Sequence, residues 1–467
     1  MFRKKIEEAA KALQFHDVYL MPSLSYKEPR EVDLSTNFSK NIRLKIPIAS
    51  SPMDTVTEDK MSIAVALLGG IGVVHRNNSV EEQIEIIERV KRAPPIRTRD
   101  LYVNAEEPCH RVLEIMEKEE IRDLPVIDNG KLIGTVFYGD LINSCREGFE
   151  PLIKIVRSPK HVTIFNLNEA NKILIEERYD TLAITDQEGF YLGTVVYRDL
   201  FTSLEPSLDS EGRLMVAAAI SPFDRERILK LDKYADALVS DLAHFHNINA
   251  IKALKHVSKE VSKDLVIGNI ATYEAVRDIT EYIDKIDGLR VGLGGGSICV
   301  TPEQTGAYVP TLYAVAEVRD AIEDLGLKAP VIADGGIRSG ADIVKALAVG
   351  ASVAMLGFLL AGTDEASAPL VRLGNKLYKP YRGMASKSSM EKRFARDRYA
   401  RISKRVEEGI EGLVEYKGSV YKVISELIEA VKAGLGYAGA SNIRELWEKS
   451  RLLITTERGE RGIKTDL

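Results

Sequence analysis

The chain lacks a large excess of either charge. It has 64 basic and 69 acidic side chains among 467 residues, which gives a net charge of −5 at neutral pH. This slight acidity gives no reason to expect nucleic acid as the main partner. Hydrophobic residues make up 45% of the sequence and charged residues 28%, a composition that argues against an intrinsically disordered chain.

Cysteine is scarce, and the features of a secretion signal are missing. The three cysteines, Cys109, Cys145 and Cys299, are too few and too far apart to predict a disulfide framework or a zinc site. We therefore expect a reducing, cytoplasmic location. The first segment, MFRKKIEEAAKALQF, is charged and amphipathic, without the apolar stretch and small-residue cleavage site of a signal peptide.

Long hydrophobic runs are absent, with one exception. Residues 346–363, ALAVGASVAMLGFLLAGT, carry no charge and approach the roughly 18 residues of a membrane helix. Gly350, Gly357 and Gly362 interrupt this run, so we interpret it as a helix end, a turn and a buried strand. No membrane partner is expected.

What the sequence does contain is a series of short apolar runs, typical of parallel strands buried on both faces. Helical patterns lie between most of them, as in residues 251–260, 272–286, 312–325 and 340–349. Eight such units predict an α/β fold, a (β/α)8 TIM barrel, which needs about 250 residues. The predicted strands are Ile46–Ser50, Gly70–His75, Met215–Ser221, Ala235–Asp241, Leu265–Ala271, Leu289–Gly294, Pro330–Gly336 and Ser352–Gly357.

The excess length lies between the second and third strands. We expect residues 1–95 and 207–467 to form the barrel and residues 96–206 to form an inserted domain. This insertion contains a repeat, with copies at about 97–147 and 152–204. LPVIDNGKLIGTVFYGDL at 124–141 is echoed by LAITDQEGFYLGTVVYRDL at 182–200, and each copy predicts strand, turn, strand and helix start.

The repeat resembles a CBS pair, or Bateman domain, a module that commonly binds adenine or guanine nucleotides. Asp140 and Asp199 lie where that family has a ribose-binding aspartate. The alternative is that both residues are helix N-caps.

In a barrel of this class the active site lies at the carboxyl ends of the strands. Glycines follow the seventh and eighth strands, as Gly335, Gly336 and Gly357. Without a Cβ, their backbone N–H groups can approach phosphate oxygens closely, so they predict a phosphate site. The alternative is that they only form tight turns.

The loop after the sixth strand, GLGGGSICVT at 292–301, is the most informative. Cys299 is the one cysteine placed where a substrate could reach it, and backbone dipoles of such a loop can stabilise a thiolate. Cys109 and Cys145 flank repeat helices and are expected to be inert. Consecutive carbonyls of the glycine-rich loop could also bind a monovalent cation.

Residues 390–409, MEKRFARDRYARISKRVEEG, follow the last predicted strand and are rich in basic side chains. They could form a solvated helix with charge pairs, a flap that closes over the site, or a nucleic-acid patch. The acidity of the whole chain makes the last of these the weakest.

Several motifs together resemble the IMP dehydrogenase/GMP reductase family over nearly the whole chain. They are SSPMDTVTE at 50–58, GGIG at 69–72, the Ser-Ile-Cys loop at 297–299, ADGGIR at 333–338, YRGM at 381–384 and EGIEG at 408–412. The resemblance implies that Cys299 as a thiolate attacks C2 of IMP and that hydride passes to NAD, leaving a covalent thioimidate. A flap of about 385–410 then closes, and water hydrolyses the adduct to XMP.

The resemblance also implies roles for individual residues. Arg398 and Tyr399 match the pair that activates the water, with Thr301 as a further partner of the arginine. Asp334 would bind the ribose hydroxyls, and Glu408 the N1 edge of the purine. Further nucleotide-binding residues would be Ser51, Met53, Ser297, Gly335, Gly336, Gly357, Tyr381, Gly383 and Met384. The dinucleotide would be bound by Asp241, Asn269, Gly292 and Gly294, and potassium by carbonyls of Gly294, Gly296 and Cys299.

Some positions depart from the family pattern. Phe358 stands where the family has a small residue beside the phosphate, and Phe245 replaces a glycine near the dinucleotide site. Ala385, Thr311 and the C-terminal tail differ as well. GMP reductase is therefore kept as an alternative function, and a nucleotide-sensing protein without catalysis as another. The pair Arg398-Tyr399 and the Asp241–His244 stretch favour the dehydrogenase. Assemblies of the family predict a homotetramer that can stack into an octamer.

Overall fold

The structure is a computed structural model that describes residues 5, 9–147, 152–163, 169–170, 172–201, 204–384, 386 and 409–455. The chain divides into two compact units. One comprises residues 1–92 and 207–467, and the other comprises residues 93–206.

The larger unit contains a closed barrel of eight parallel strands, which confirms the predicted fold class. Its strands, numbered here in chain order, are β1 Ile48–Ser50, β2 Ile71–Val74, β3 Val216–Ile220, β4 Ala237–Ser240, β5 Asp264–Ile270, β6 Gly288–Val291, β7 Val331–Asp334 and β8 Val353–Leu356. Each strand pairs with the next in sequence, and β8 closes the ring by pairing Met355 with Ala49 of β1. Each observed strand overlaps a predicted apolar run, because both faces of a barrel strand are buried.

In the described part of the chain, eight helices accompany the barrel strands. They are α1 Asp59–Leu67, α2 Val80–Arg92, α3 Arg225–Leu231, α4 Ile248–Val257, α5 Tyr273–Thr280, α6 Thr311–Asp324, α7 Gly340–Ala348 and α8 Val420–Tyr437. Hydroxyl side chains cap several of them: Thr272 accepts the Ala275 N–H and Ser339 accepts the Asp342 N–H. Such caps satisfy backbone donors that have no partner within the helix.

The uncharged run at 346–363 contains the end of α7, strand β8 and a short helix at Phe358–Ala361. The helix end and the buried strand match the interpretation of the sequence, whereas the short helix was not predicted. Within the described part of the chain, no helix has the length and hydropathy needed to cross a membrane.

Smaller elements surround the barrel. Strand Val18–Leu20 pairs with Leu452–Ile454, and Thr36–Asn37 pairs with Arg43–Leu44. A three-stranded antiparallel sheet is formed by Val371–Leu373, Lys376–Arg382 and Glu411–Glu415. Short helical segments occur at Phe15–Asp17, Pro29–Glu31 and Thr301–Thr305, and a longer one at Ile443–Lys449.

The smaller unit has two similar halves, each with a three-stranded sheet. The first contains strands Val103–Asn104, Asp123–Asp128 and Lys131–Phe137 with helices Cys109–Glu119 and Tyr138–Glu147. The second contains strands His161–Thr163, Thr181–Thr185 and Tyr191–Val196 with helical turns Lys172–Glu176 and Tyr197–Phe201. Asp123 links the halves by accepting the N–H groups of Asp180 and Thr181 at 2.7 and 2.8 Å.

The two aspartates that the sequence singled out in this unit have similar surroundings. Asp140 and Asp199 both lie at the start of the helical segment that follows a hairpin, and both are bound by arginines. Arg157 forms a bidentate ion pair with Asp140, and both contacts are 2.8 Å long. Asp199 is bound by Arg97 and, through two contacts of 2.8 Å, by Arg99.

Cys109 is disulfide-bonded. The three widely separated cysteines had indicated no disulfide, and this expectation was wrong, because separation along the chain does not reveal which segments the fold brings together.

Candidate functional site

A cavity of about 400 Å³ opens at the carboxyl ends of the barrel strands, a size typical of small-molecule sites. The structure brings most of the predicted site residues together around it. Those that line the cavity are Ser51, Met53, Asn269, Gly292, Gly294, Gly296, Ser297, Cys299, Thr301, Asp334, Gly335, Gly336, Gly357, Tyr381, Gly383 and Met384. They converge because parallel strands of a barrel end at the same rim.

Four predicted residues are not among the lining residues. Three of them, Arg398, Tyr399 and Glu408, lie outside the described residues. Ala385, which departs from the family pattern, also lies outside them. The fourth, Asp241, is described, but it is fully buried and is not among the residues that line the cavity. Its carboxylate contacts two arginines, as described below.

Cys299 is a free cysteine at the edge of the cavity and is partly exposed. Its Sγ lies 3.1 Å from Oγ1 of Thr301, and its N–H donates to the carbonyl of Gly296 at 3.0 Å. Thr301 begins a short helical segment, so its hydroxyl is held beside the sulfur. The arrangement places a nucleophile next to a group that can exchange a hydrogen bond with it.

Backbone contacts hold the cysteine loop in place. The N–H of Ile410 donates to the carbonyl of Ile298 at 3.1 Å, and the N–H of Gly383 donates to the carbonyl of Ile410, also at 3.1 Å. Cys299 forms a further antiparallel bridge with Gly409. Sequence reasoning missed this connection, because a pairing between loops leaves no pattern of apolar residues.

Two glycines at the rim are required by close packing. A Cβ on Gly357 would lie 3.0 Å from both Sδ of Met53 and the hydroxyl oxygen of Tyr381. A Cβ on Gly292 would lie 1.9 Å from the carbonyl oxygen of Asp334. Because this oxygen belongs to the backbone, it cannot move aside as the end of a flexible side chain could. Larger residues would therefore displace the groups expected to bind a nucleotide.

Tyr381 and Phe358 form one wall of the cavity. Their ring centroids are 6.1 Å apart, and burial raises the pKa of Tyr381 to about 12, so its hydroxyl stays protonated. Lys417 lies 4.7 Å from the Phe358 ring centroid and donates to the carbonyls of Phe358 and Leu359 at 2.9 and 3.0 Å. The unusual phenylalanine is thus packed between a tyrosine and a cation.

Phe245, the other aromatic departure from the family pattern, lies away from the cavity. It is fully buried, and its N–H donates to the carbonyl of Asn269 at 2.8 Å. Its neighbour His244 does line the cavity, and burial lowers the pKa of that imidazole. His246 forms a 2.9 Å contact with Asp278.

A buried ion pair supports the first strand's loop. Arg382 contacts Asp54, with Nε 3.0 Å from Oδ1, and Asn77 donates to Oδ2 at 2.8 Å. Burial alone would raise the pKa of Asp54, but the hydrogen bonds from Arg382 and Asn77 outweigh it, and the pKa lies below its usual value. The pair ties the loop containing Ser51 and Met53 to the strand containing Tyr381.

A second buried charge cluster borders the cavity, and sequence reasoning missed its central residue. Arg290 of β6 contacts Asp241 at 2.9 Å and Asp334 at 2.8 Å. Asn269 donates to Asp334 as well, at 2.9 Å. The available signal was a single charged residue within the apolar strand Leu289–Val291.

Comparisons with known proteins agree with the family resemblance seen in the sequence. The sequence profile described as "IMP dehydrogenase / GMP reductase domain" matches residues 12–464. A relative from Korarchaeum cryptofilum, named inosine-5'-monophosphate dehydrogenase, is 44% identical and covers 97% of this chain and 96% of its own. Relatives of the same name from Thermoplasma acidophilum and Methanocaldococcus jannaschii are each 40% identical; they cover 99% and 98% of this chain and 95% and 96% of their own.

Similar solved structures carry a different name. A cysteine-to-alanine variant of GMP reductase from Trypanosoma brucei is 32% identical, with a TM-score of 0.74, and covers 98% of this chain and 99% of its own. The same variant in complex with guanosine 5'-monophosphate has a TM-score of 0.70, and covers 98% of both chains.

Proposed function

The chain belongs to the IMP dehydrogenase/GMP reductase family, and on this basis we propose that it oxidises IMP to XMP with NAD as the hydride acceptor. The observation that carries the proposal is the free Cys299 beside Thr301, at the edge of a cavity lined by the glycines expected to bind phosphate. The curated relatives named above support the dehydrogenase over other members of the family.

The cavity suits a purine nucleoside monophosphate. Backbone N–H groups around Gly335, Gly336 and Gly357 would bind the phosphate. Glycine has no Cβ, so the phosphate can approach these N–H groups closely. Two hydrogen bonds and a further ion-pair contact from Arg290 bind Oδ2 of Asp334, whereas no described residue donates to its Oδ1. That oxygen would accept the ribose hydroxyls.

The covalent step requires the sulfur of Cys299. The thiol donates a hydrogen bond to Oγ1 of Thr301; once solvent water has taken the thiol proton, the threonine hydroxyl can donate to the thiolate. The thiolate then adds to C2 of the purine, and the C2 hydrogen leaves with its electron pair as hydride. NAD supplies the acceptor for this hydride. Asn269, Gly292 and Gly294 line the cavity where the dinucleotide would bind.

Hydrolysis completes the reaction. Water adds to C2 of the thioimidate, the carbon–sulfur bond breaks, and Cys299 is released with its electron pair. We infer from the family resemblance that Arg398 and Tyr399 accept the proton from this water. An arginine can act in this way only in a shielded pocket, because its ordinary pKa is far above neutrality.

GMP reductase is the second candidate, and the similar solved structures favour it. Both enzymes need the cysteine, the phosphate site and the ribose carboxylate, so the described part of the cavity suits either. The Arg398-Tyr399 pair and the Asp241–His244 stretch favour the dehydrogenase. The free, partly exposed Cys299 argues against a third possibility, a nucleotide sensor without catalysis.

Two assays on the purified protein separate these functions. With IMP and NAD we expect XMP and NADH to form in equal amounts. With GMP and NADPH we expect no IMP and no ammonia. Formation of IMP in the second assay without XMP in the first would show a reductase, and no product in either would show a protein without catalysis. A Cys299→Ala variant provides the blank for both.

We infer that a monovalent cation binds the cysteine loop. Gly294, Gly296 and Cys299 present carbonyls within one short segment, and carbonyl oxygens are suitable ligands for a hard cation. The Gly296 carbonyl already accepts the Cys299 N–H, which leaves its second lone pair. We infer that potassium bound there would brace the loop and hold Cys299 beside the substrate.

We further infer that residues 96–206 form a CBS pair that binds an adenine or guanine nucleotide. The two halves repeat the same order of strands, and Asp140 and Asp199 occupy equivalent places. Because arginines bind both carboxylates, a ribose would have to replace one of these pairs, and the guanidinium groups could then bind phosphates. Asp199 is only 6% exposed and Asp140 31%, which favours the site at Asp140.

This preference predicts unequal effects of substitution. Asp140→Asn should weaken ATP or GTP binding by about tenfold, the value of one charge-assisted hydrogen bond. Asp199→Asn is the matched control and should change affinity less. Titration calorimetry of the full chain, with the barrel saturated by IMP, measures both. Equal affinities for the unsubstituted protein and Asp140→Asn would contradict the assignment.

The family resemblance also leads us to propose a cytoplasmic homotetramer that can stack into an octamer. Light scattering coupled to size-exclusion chromatography measures the assembly directly. Nucleotide binding to the inserted unit is expected to change the proportion of the two assemblies.

A further inference from the structure

Arg290 occupies an unusual place for a charged residue. It lies within β6, between Leu289 and Val291, and only 2% of its side chain is exposed. That small exposed part contributes to the cavity lining. A buried guanidinium is costly unless it is paired, so its partners decide what it does.

The partners are carboxylates from two different strands. Nη1 of Arg290 contacts Oδ1 of Asp241 at 2.9 Å, just after β4. Nε and Nη2 contact Oδ2 of Asp334 at 2.9 and 2.8 Å, at the end of β7. Burial would lower the pKa of Arg290, but the two carboxylates raise it above its usual value, so the bridge stays charged.

A fourth charge balances the cluster. Nε of Arg76, from the loop after β2, lies 3.6 Å from Asp241, and its Nη2 donates to the Asp241 carbonyl at 3.0 Å. Two arginines thus offset two aspartates inside the barrel, and each charge depends on the others for its orientation.

We propose that Arg290 is a positioning residue that orients Asp334 for the nucleotide ribose and makes this orientation depend on the buried charge of Asp241. The inference rests on the proposed function, in which Asp334 binds the ribose hydroxyls. It adds that Asp241, on the far side of Arg290, affects nucleotide binding even when no dinucleotide is present.

The physical reason lies in how the donors are distributed. The hydrogen bonds to Asp334, one from Nε of Arg290 and one from Asn269, both bind Oδ2, and Nη2 of Arg290 forms an ion-pair contact with the same oxygen, so Oδ1 is the oxygen left for a ligand. Without Arg290, this carboxylate loses one of its two hydrogen bonds and its ion pair, and it can rotate. Without the charge of Asp241, the two arginines are balanced by Asp334 alone, and its oxygen becomes a weaker acceptor.

The test compares IMP with 2'-deoxy-IMP. Cys299→Ala is used as the parent so that no reaction occurs, and calorimetry measures nucleotide binding without dinucleotide. In the parent we expect IMP to bind about tenfold more tightly than its deoxy analogue, the value of one hydrogen bond to a charged group. Arg290→Lys should reduce this preference to about twofold or less, because lysine cannot form both contacts to Oδ2.

Asp241→Asn is the decisive variant. It is isosteric and lies across Arg290 from Asp334, so a residue that served only the dinucleotide would leave IMP binding unchanged. We expect IMP affinity to fall about threefold or more, within the range of coupling through a charged network. The preference for IMP over the deoxy analogue should fall with it.

Arg227→Lys is the matched control, because Arg227 is buried and paired with Asp224 but does not line the cavity. It should leave the preference unchanged. Thermal unfolding identifies variants that fail to fold. If Arg290→Lys fails to fold, Asp241→Asn alone carries the test. An unchanged preference in Asp241→Asn, or equal loss of both nucleotides, overturns the inference.

Failure of the proposed function gives a different result. A parent that binds GMP but not IMP would exclude the dehydrogenase. The role of Arg290 would then be measured with GMP and 2'-deoxy-GMP, because the ribose is the same in both nucleotides.

Discussion

Replacing Cys299 with alanine is expected to abolish turnover, with a loss of at least about 10³-fold in kcat, as for other residues that form a covalent intermediate. The cavity contains no other described cysteine, and Thr301 alone is too weak a nucleophile to take its place. XMP formation followed by absorbance of NADH measures the rate. Mass spectrometry of the protein quenched during turnover detects the nucleotide adduct, which should be present only when Cys299 is intact.

Two variants of the neighbouring hydroxyl provide the control. Thr301→Ser keeps the oxygen that lies 3.1 Å from the sulfur and should retain most of the activity. Thr301→Val keeps the shape but removes the hydroxyl, and it should be slower by about tenfold or more. Alanine at position 299 should still bind IMP. Turnover within about tenfold of normal in Cys299→Ala would refute the nucleophile assignment.

Replacing Arg398 with alanine should slow hydrolysis of the adduct by about 10²-fold or more, the size of a lost general base. Hydride transfer should be affected far less, because it precedes the step that needs the water. Rapid mixing of enzyme with IMP and NAD should therefore show a burst of NADH close to one equivalent per active site. The slow steady state that follows reports hydrolysis.

Arg396→Ala is the matched control on the same segment. It removes an equal charge two residues away and should leave both phases nearly unchanged. Loss of the burst together with turnover in Arg398→Ala would contradict a role confined to water activation. Accumulation of the covalent adduct, seen by mass spectrometry of Arg398→Ala, should accompany the surviving burst.

The barrel was predictable from the sequence for a physical reason. A parallel strand buried on both faces needs a continuous apolar run, and each observed strand, such as Val216–Ile220 or Val353–Leu356, overlaps one. The strand ends then follow, and residues placed there must converge at one rim. Cys299, Asp334 and Gly357 could be assigned to the same cavity before any contact was known.

The cluster around Arg290 could not be predicted in this way. An arginine between Leu289 and Val291 reveals that something must neutralise it, but not which carboxylates do so. Asp241 and Asp334 are 93 residues apart along the chain, and their common contact is created by closure of the barrel. The same holds for Phe245, whose place near a predicted cofactor residue gave no indication that its side chain is fully buried.

The sequence alone therefore determined the class of fold, the order of its elements and most of the residues at the rim, because hydrophobic burial depends on periodic patterns that can be counted. The tertiary structure decided which charges pair, which side chains face the cavity and which oxygen of Asp334 is left for a ligand. Those outcomes depend on distances between residues remote in sequence, and the strength of an electrostatic contact changes steeply with distance and burial.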